Sequence, residues 1–220
     1  MFDKHKAAQA QKYRQAATEE ARAATNRALE ALEAGRLNRT APSVNGFLMK
    51  KGEVASFNFR GIDLIEPRRA PGHWSGGSHG VSIHLAKGLN YRVGQSRGTY
   101  TQGDERPTVI DTGNFLVTDQ RFIFVGGKRT IEWAYAKLVG FSLEHSGMSI
   151  FNVSNRQKAS GVAYTTAIDH VVDAVIAASI ARYQSTAAHA AVVAELEDEY
   201  QRALNNLNSL TNDTDAITSG

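Results

Sequence analysis

Several residue groups in the sequence are of types that could do chemistry. Gly76 to Gly80 reads GGSHG and fits the G-x-S-x-G spacing of a hydrolase nucleophile turn. That turn needs an apolar strand before the serine and a helix after it, so that the hydroxyl stands out on a sharp bend. Here APGHWS precedes and the strand-like VSIHLA follows, so Ser78 is expected in a flexible loop with no nucleophilic role. His73, His79 and His84 could suggest a metal. His79 and His84, however, flank the start of a strand and cannot share one helical face, and there is no cysteine to assist them. Asp104 and Glu105 are adjacent carboxylates in the turn-prone TQGDERPT, and neighbours of that kind point apart rather than work as an acid–base pair. No P-loop or dinucleotide fingerprint occurs. No catalytic residue, metal, cofactor or small-molecule substrate is therefore expected.

The basic residues hold more promise. Lys50 and Lys51, Arg68 and Arg69, Lys128 and Arg129, and Arg156 with Lys158 all fall at expected loops or turns. Loop tips gathered at one end of a β domain would offer an anion-binding surface, with ~1 kcal/mol per residue on an acidic leaflet. The plainer account is solubilising charge beside hairpins. Nucleic acid is not an expected partner, because no interleaving of aromatic and basic residues accompanies these pairs.

Composition then shows what must position such residues. The chain has 220 residues, 42% of them apolar, no cysteine and no apolar run of spanning length. These values suit one globular domain with extensions, or two small domains, in a reducing, cytoplasmic setting. The start, MFDKHKAAQAQKYRQ, is charged and lacks the apolar core of a secretory signal. Charge is uneven: residues 1–39 carry +3, residues 40–166 carry +6 and residues 167–220 carry −6. All four prolines and nearly all 19 glycines lie in the middle segment. That distribution marks a loop-rich β domain between two helical arms.

In the first arm Tyr13, Ala17, Ala21, Ala24, Ala28 and Leu32 form a narrow stripe ending at Gly35. The last arm opens with TAID, where Thr166 and Asp169 have the spacing of a capping box. Ile168, Val172, Val175, Ile176, Ile180 and Tyr183 then make a broad face suited to packing on a sheet. After STAAHA the apolar seam narrows to Val193, Leu196, Tyr200, Ala203, Leu207 and Leu210, alternating three and four as in a coiled coil. Unbroken from Ala167 to Leu210, this helix would extend ~66 Å. The two arms carry opposite charge, and Ala17 to Leu32 is expected to pack along Val193 to Leu210, within one chain or swapped between two.

Between the arms, EVASFNF, VSIHLA, LNYRVG, GNFLVT, RFIFVGG, RTIEWAY, GMSIFNVS and SGVAYTT read as strands. Asp119-Gln120 and Gly126-Gly127 break them, the glycines suiting a tight hairpin with positive φ. Such spacing fits a closed or nearly closed antiparallel barrel. Gly113, Leu116, Thr118, Arg121, Phe124 and Gly126, with the downstream TIEWAYAKLVGFSLEHSGMSIF, resemble the core of pleckstrin-homology-like (PH-like) domains of the GRAM and bacterial type. The resemblance runs from about Gly46 to Tyr183. It implies a seven-stranded sandwich or barrel closed by a C-terminal helix, and binding to lipid headgroups, peptides or proteins without catalysis.

The expectation is thus an α+β chain: an N-terminal arm at 1–39, a PH-like barrel with its capping helix at 40–183, and a helical extension at 184–220. The helices form a coiled-coil-like pair. Its expected role is protein interaction or self-association through the arms, with peripheral binding to an anionic membrane as the alternative.

Overall fold

The computed structural model describes residues 2–41, 43–69, 73–86, 89–101, 105–144 and 147–218. In chain order these form α1 (Phe2–Gly35), β1 (Ala55–Arg69), β2 (His73–Ala86), β3 (Leu89–Thr101), β4 (Glu105–Thr118), β5 (Arg121–Gly126) and β6 (Thr130–Ala134). There follow a 3-10 turn at Tyr135–Lys137, β7 (Leu138–Glu144), β8 (Met148–Val153), β9 (Ser160–Ala163), α2 (Asp169–Gln184) and α3 (Thr186–Thr218). The fold is α+β. Seven strands make one antiparallel sheet in the order β6-β5-β4-β1-β9-β8-β7, and β2 pairs with β3 in a ladder of its own. No helix among the described residues is long and apolar enough to cross a membrane.

The short strands are apolar on both sides for a reason. Phe115, Val117, Phe122 and Phe124 face the main core with Trp133 and Phe151, all fully buried. Phe122 and Phe151 lie 4.9 Å apart by ring centroid and Trp133 and Phe151 5.2 Å, within ordinary aromatic packing. The alternate residues Leu116 and Ile123 are buried too, on the opposite face with Ala55, under a strap formed by Ala41, Val44, Phe47 and Met49. A strand covered on both faces reads as a continuous apolar run. Ile131 on β6 packs against this core and is only partly buried.

The hairpin glycines act by close approach. The β5–β6 turn closes with the Gly126 N–H donating to the Arg129 carbonyl at 2.9 Å. Neither Gly126 nor Gly127 adopts a positive φ, contrary to the sequence expectation. Instead a Cβ on Gly126 would lie 2.3 Å from the Asp111 carboxylate, and one on its cross-strand partner Gly113 would lie 2.2 Å from the Val125 carbonyl oxygen.

The helices depart from expectation at their ends. Thr166 does not cap α2, which starts at Asp169 with Ile168 in the capping position and no side-chain cap. The Asp169 carboxylate accepts from the His170 N–H and from Arg27 Nη2, both at 2.7 Å. Val172, Val175, Ile176 and Ile180 are buried in the core as expected of that face, whereas Tyr183 is exposed. The long second helix is not continuous. Ser185 is extended (φ −171°, ψ 161°), and its hydroxyl accepts the Ala188 N–H at 3.0 Å, ending α2 and starting α3. GGSHG is strand backbone rather than loop: Gly76 pairs with Gly98 and Gly80 with Gly94. Finally, α1 is built into the β domain, since Ala34 and Leu37 share the core with Phe115 and Val175.

Phe124 tests this core. Phe124→Ala should lower unfolding free energy in urea by ~3–5 kcal/mol, with the Trp133 signal following the same single transition.

Candidate interaction surfaces

The β4–β5 turn carries the most connected polar group of the described residues. Arg121 and Glu53 side chains are 9% and 0% exposed and pair through two bonds, Nε to Oε1 at 2.8 Å and Nη2 to Oε2 at 2.9 Å. Arg121 also donates to the Leu48 carbonyl at 2.7 Å and to the Glu132 carboxylate. The Thr118 oxygen accepts the Arg121 and Gln120 N–H groups and sits 2.8 Å from Glu53. Burial alone would raise the Glu53 pKa. The Arg121 bonds, the Lys50 N–H and the Thr118 hydroxyl outweigh it and hold the carboxyl below its ordinary value of 4.5. Glu53 carries no sequence signal of its own: it is one acid in a turn, distant in the chain from its partner.

This network shapes the first basic pair. Lys50 and Lys51 are exposed on a tip whose backbone is tied by Lys50 N–H to Glu53 and by Arg121 to Leu48. Leu48 itself is 92% exposed between inward-facing Phe47 and Met49. At the far end of β5, Lys128 and Arg129 occupy the next turn. Their N–H groups donate to the buried Asp111 carboxylate at 2.7 and 2.8 Å, holding it below the usual carboxylate range. Arg156 lies beside the same strand as that turn, donating to the Glu132 carbonyl at 2.6 Å and covering the Trp133 ring, while Lys158 is exposed. Arg68 and Arg69 belong to β1, paired with Arg106 and Glu105, and not to a loop. The structure therefore does not gather the basic residues at one end. Asp104 lies outside the described residues, as do the side chains of Arg69, His73, Ser78, His79, His84 and Glu105. Among the described residues no cluster of His, Asp and Glu could hold a metal.

The second surface belongs to the helices. α1 packs against both α2 and α3. Gly35 lies against Leu196, where a Cβ would come within 2.4 Å of Cδ1. His189 Nε2 donates to the Gly35 carbonyl at 2.9 Å, and Arg36 pairs with Glu197 at 3.0 Å. α1 ends where α3 begins, so the two run antiparallel. Along α1 the buried line is Ala21, Thr25, Ala28 and Leu32, while Tyr13 (69%) and Ala24 face solvent. On α3, Val193, Leu196, Tyr200, Ala203, Leu207 and Leu210 are each partly buried, as is Leu204, which the heptad reading omits. A cleft of about 790 Å³ opens where the three helices meet. Alanines from α1 and α2 form its floor, and Glu20, Glu195 and Glu199 line it.

Removing Arg121 would leave a buried carboxylate without its cation. Arg121→Met should cost ~3–5 kcal/mol in urea unfolding. Because the folded Glu53 pKa lies below the unfolded one, its contribution is complete above about pH 4.5 and is lost as pH falls through the folded value. Stability of Glu53→Gln, measured from pH 7 to pH 3, should fall less steeply on the acid side than that of the wild type. Comparison of the chain with protein-family models, curated proteins and solved structures finds no match, and the functional reading rests on these surfaces alone.

Proposed function

We propose that this chain is a non-catalytic binding or scaffolding module that acts through its helical arms. One observation carries the reading. α1 and α3, of 34 and 33 residues, are each about 50 Å long, roughly twice the length of the 16-residue α2 they pack on, and they run antiparallel to each other. An apolar seam that stays partly exposed from Val193 to Leu210 is a coiled-coil-like surface open to a further helix. The β domain supports a PH-like reading. Apart from the β2–β3 ladder, β1-β4-β5-β6 and β7-β8-β9 are two meanders joined through β1 and β9, and α2 packs into their core.

A second reading is peripheral binding to anionic lipid headgroups. It is favoured by Leu48, held outward beside Lys50 and Lys51 by the Arg121 network. An apolar side chain flanked by cations suits a membrane interface.

Two measurements separate these readings. A photo-reactive residue at exposed Gln201 on α3 should give protein adducts in cells, and one at exposed Val139 on β7 should not. Absence of adducts from α3 would end the first reading. In liposome sedimentation, Lys50→Glu with Lys51→Glu should reduce binding to acidic vesicles, most clearly at low salt, while Lys128→Glu with Arg129→Glu should change it less. Equal sedimentation of all three proteins would remove the membrane tip.

A further inference from the structure

We propose that the cleft between α1, α2 and α3 receives the Lys12–Tyr13–Arg14 segment of a second copy of this chain, and that the exchange is reciprocal. This deepens the arm reading above and rests on it.

The cleft has a definite chemistry. Its floor is built of methyl groups: Ala23, Ala24, Ala28 and Ala31 from α1, and Ala174 and Ala177 from α2. Val192 and Leu196 of α3 close one side. Such a floor is shallow and even, and suits a flat ring or an alanine-rich helix better than a branched side chain. The carboxylates around it divide into two sets. Asp169 pairs with Arg27, and Asp173 accepts the Tyr164 hydroxyl. Glu20, Glu195 and Glu199 meet no cation within ion-pair distance among the described residues. The cleft thus asks for an apolar group carrying positive charge.

α1 displays such a group on its solvent-facing stretch. Tyr13 is 69% exposed, the most exposed aromatic side chain among the described residues, and Lys12 and Arg14 on either side of it are exposed as well. Ala10, Ala16 and Ala17 flank the triplet in sequence, so the helix around it is slim. The segment cannot enter its own cleft. Tyr13 precedes Ala24 and Ala28 on one continuous helix, ~16–22 Å away along a rigid axis at 1.5 Å per residue. Only another molecule can bring the two together. A two-fold axis crossing α1 near Thr18 and Glu19, midway between Tyr13 and the cleft, would place each Tyr13 against the other copy's cleft at once. That closure is the isologous arrangement expected of a homodimer. Charge selects it: tip on tip would oppose cation to cation, and cleft on cleft would oppose carboxylate to carboxylate.

Sedimentation velocity over a concentration series, on the full chain, tests the exchange. The wild type should form a dimer. Lys12→Glu with Arg14→Glu reverses the tip, and Glu195→Lys with Glu199→Lys reverses the cleft. Each variant alone should associate on the order of tenfold more weakly or worse. Mixed in equal amounts, the two should dimerise again, because both contacts of the mixed pair are then of opposite charge. All four positions lie on exposed helix surface, and unchanged helical circular dichroism would confirm folding. Ala24→Trp, at an exposed alanine of the cleft floor, should block association without reversing any charge. A wild type that stays monomeric at every concentration would overturn the proposal, as would a mixture that associates no better than its components. A monomer that still gives protein adducts from Gln201 would leave the arm reading standing with a different partner. A monomer without such adducts would remove both.

Discussion

The bidentate pair between Arg121 and Glu53 is the contact on which the order of the β domain most depends. It joins parts of the chain that no local rule would bring together: the strap ahead of β1, the β4–β5 turn, and Glu132 on the edge strand β6. A pair so enclosed is an uncertain source of net stability, because desolvation of two ions offsets much of their attraction. Its effect on specificity is clearer. Arg121 presents its donors in a fixed plane, and its partners Leu48 and Glu53 ahead of β1 and Glu132 on β6 come from two segments distant in the chain. Only one arrangement of strap, turn and edge strand satisfies them. Once the strap is fixed, Phe47 and Met49 cover the outer face at Leu116 and Ile123, and Leu48 between them is left facing solvent.

The same logic of enclosure explains why the hairpin turn is glycine-rich. Asp111 is buried and carries charge, and it is satisfied by the N–H of Thr112 beside it on β4 and by the N–H groups of Lys128 and Arg129 in the turn. A carboxylate with that many N–H donors stays ionised to low pH. The space it occupies is space a Cβ at Gly126 would need. Gly126 therefore follows from a packing requirement set by Asp111, and the tight turn is its consequence.

Much of the local structure was legible in the sequence. The strand run from Asp111 to Trp133, the apolar face of α2 and the two long arms follow from periodicity, which reports local geometry directly. The expected TAID cap was not correct, and the break in the second helix was not legible. Thr166 has the right residue type, but the chain enters α2 only at Asp169, whose carboxylate is drawn to Arg27 on another element. Ser185 does act as a helix start, yet good helix formers on both sides hide the break. Glu53, Asp111 and the strap at 41–49 were missed because each depends on a partner far away in the chain, and a pattern read over ten or fifteen residues contains no such information. The basic pairs were legible as charges, although Arg68 and Arg69 lie in β1 and not in a loop. Whether the pairs group was not legible, because that requires the relative placement of turns at opposite ends of β5.

The two parts of the molecule are stabilised by different means, and this bears on how the arms work. The β domain has fully buried aromatic side chains and a sheet covered on both faces over β4 and β5. The arms beyond α2 have alanine on one helix and half-buried Leu and Tyr on the other, and among the described residues the ion pair joining them is Arg36, just past α1, with Glu197 of α3. Such a pair has little to hold it, because helix stability in water comes mainly from packing and an alanine stripe offers small area. The contact between α1 and α3 away from α2 thus has a lower cost of opening than the β-domain core. A partner that covers the seam would add buried area where the intramolecular contact is thinnest, and so would order the arms as it binds. Binding and helix stability are then linked. The opposite charge of the two arms draws α1 toward α3 within one chain, and screening limits that attraction to a bias.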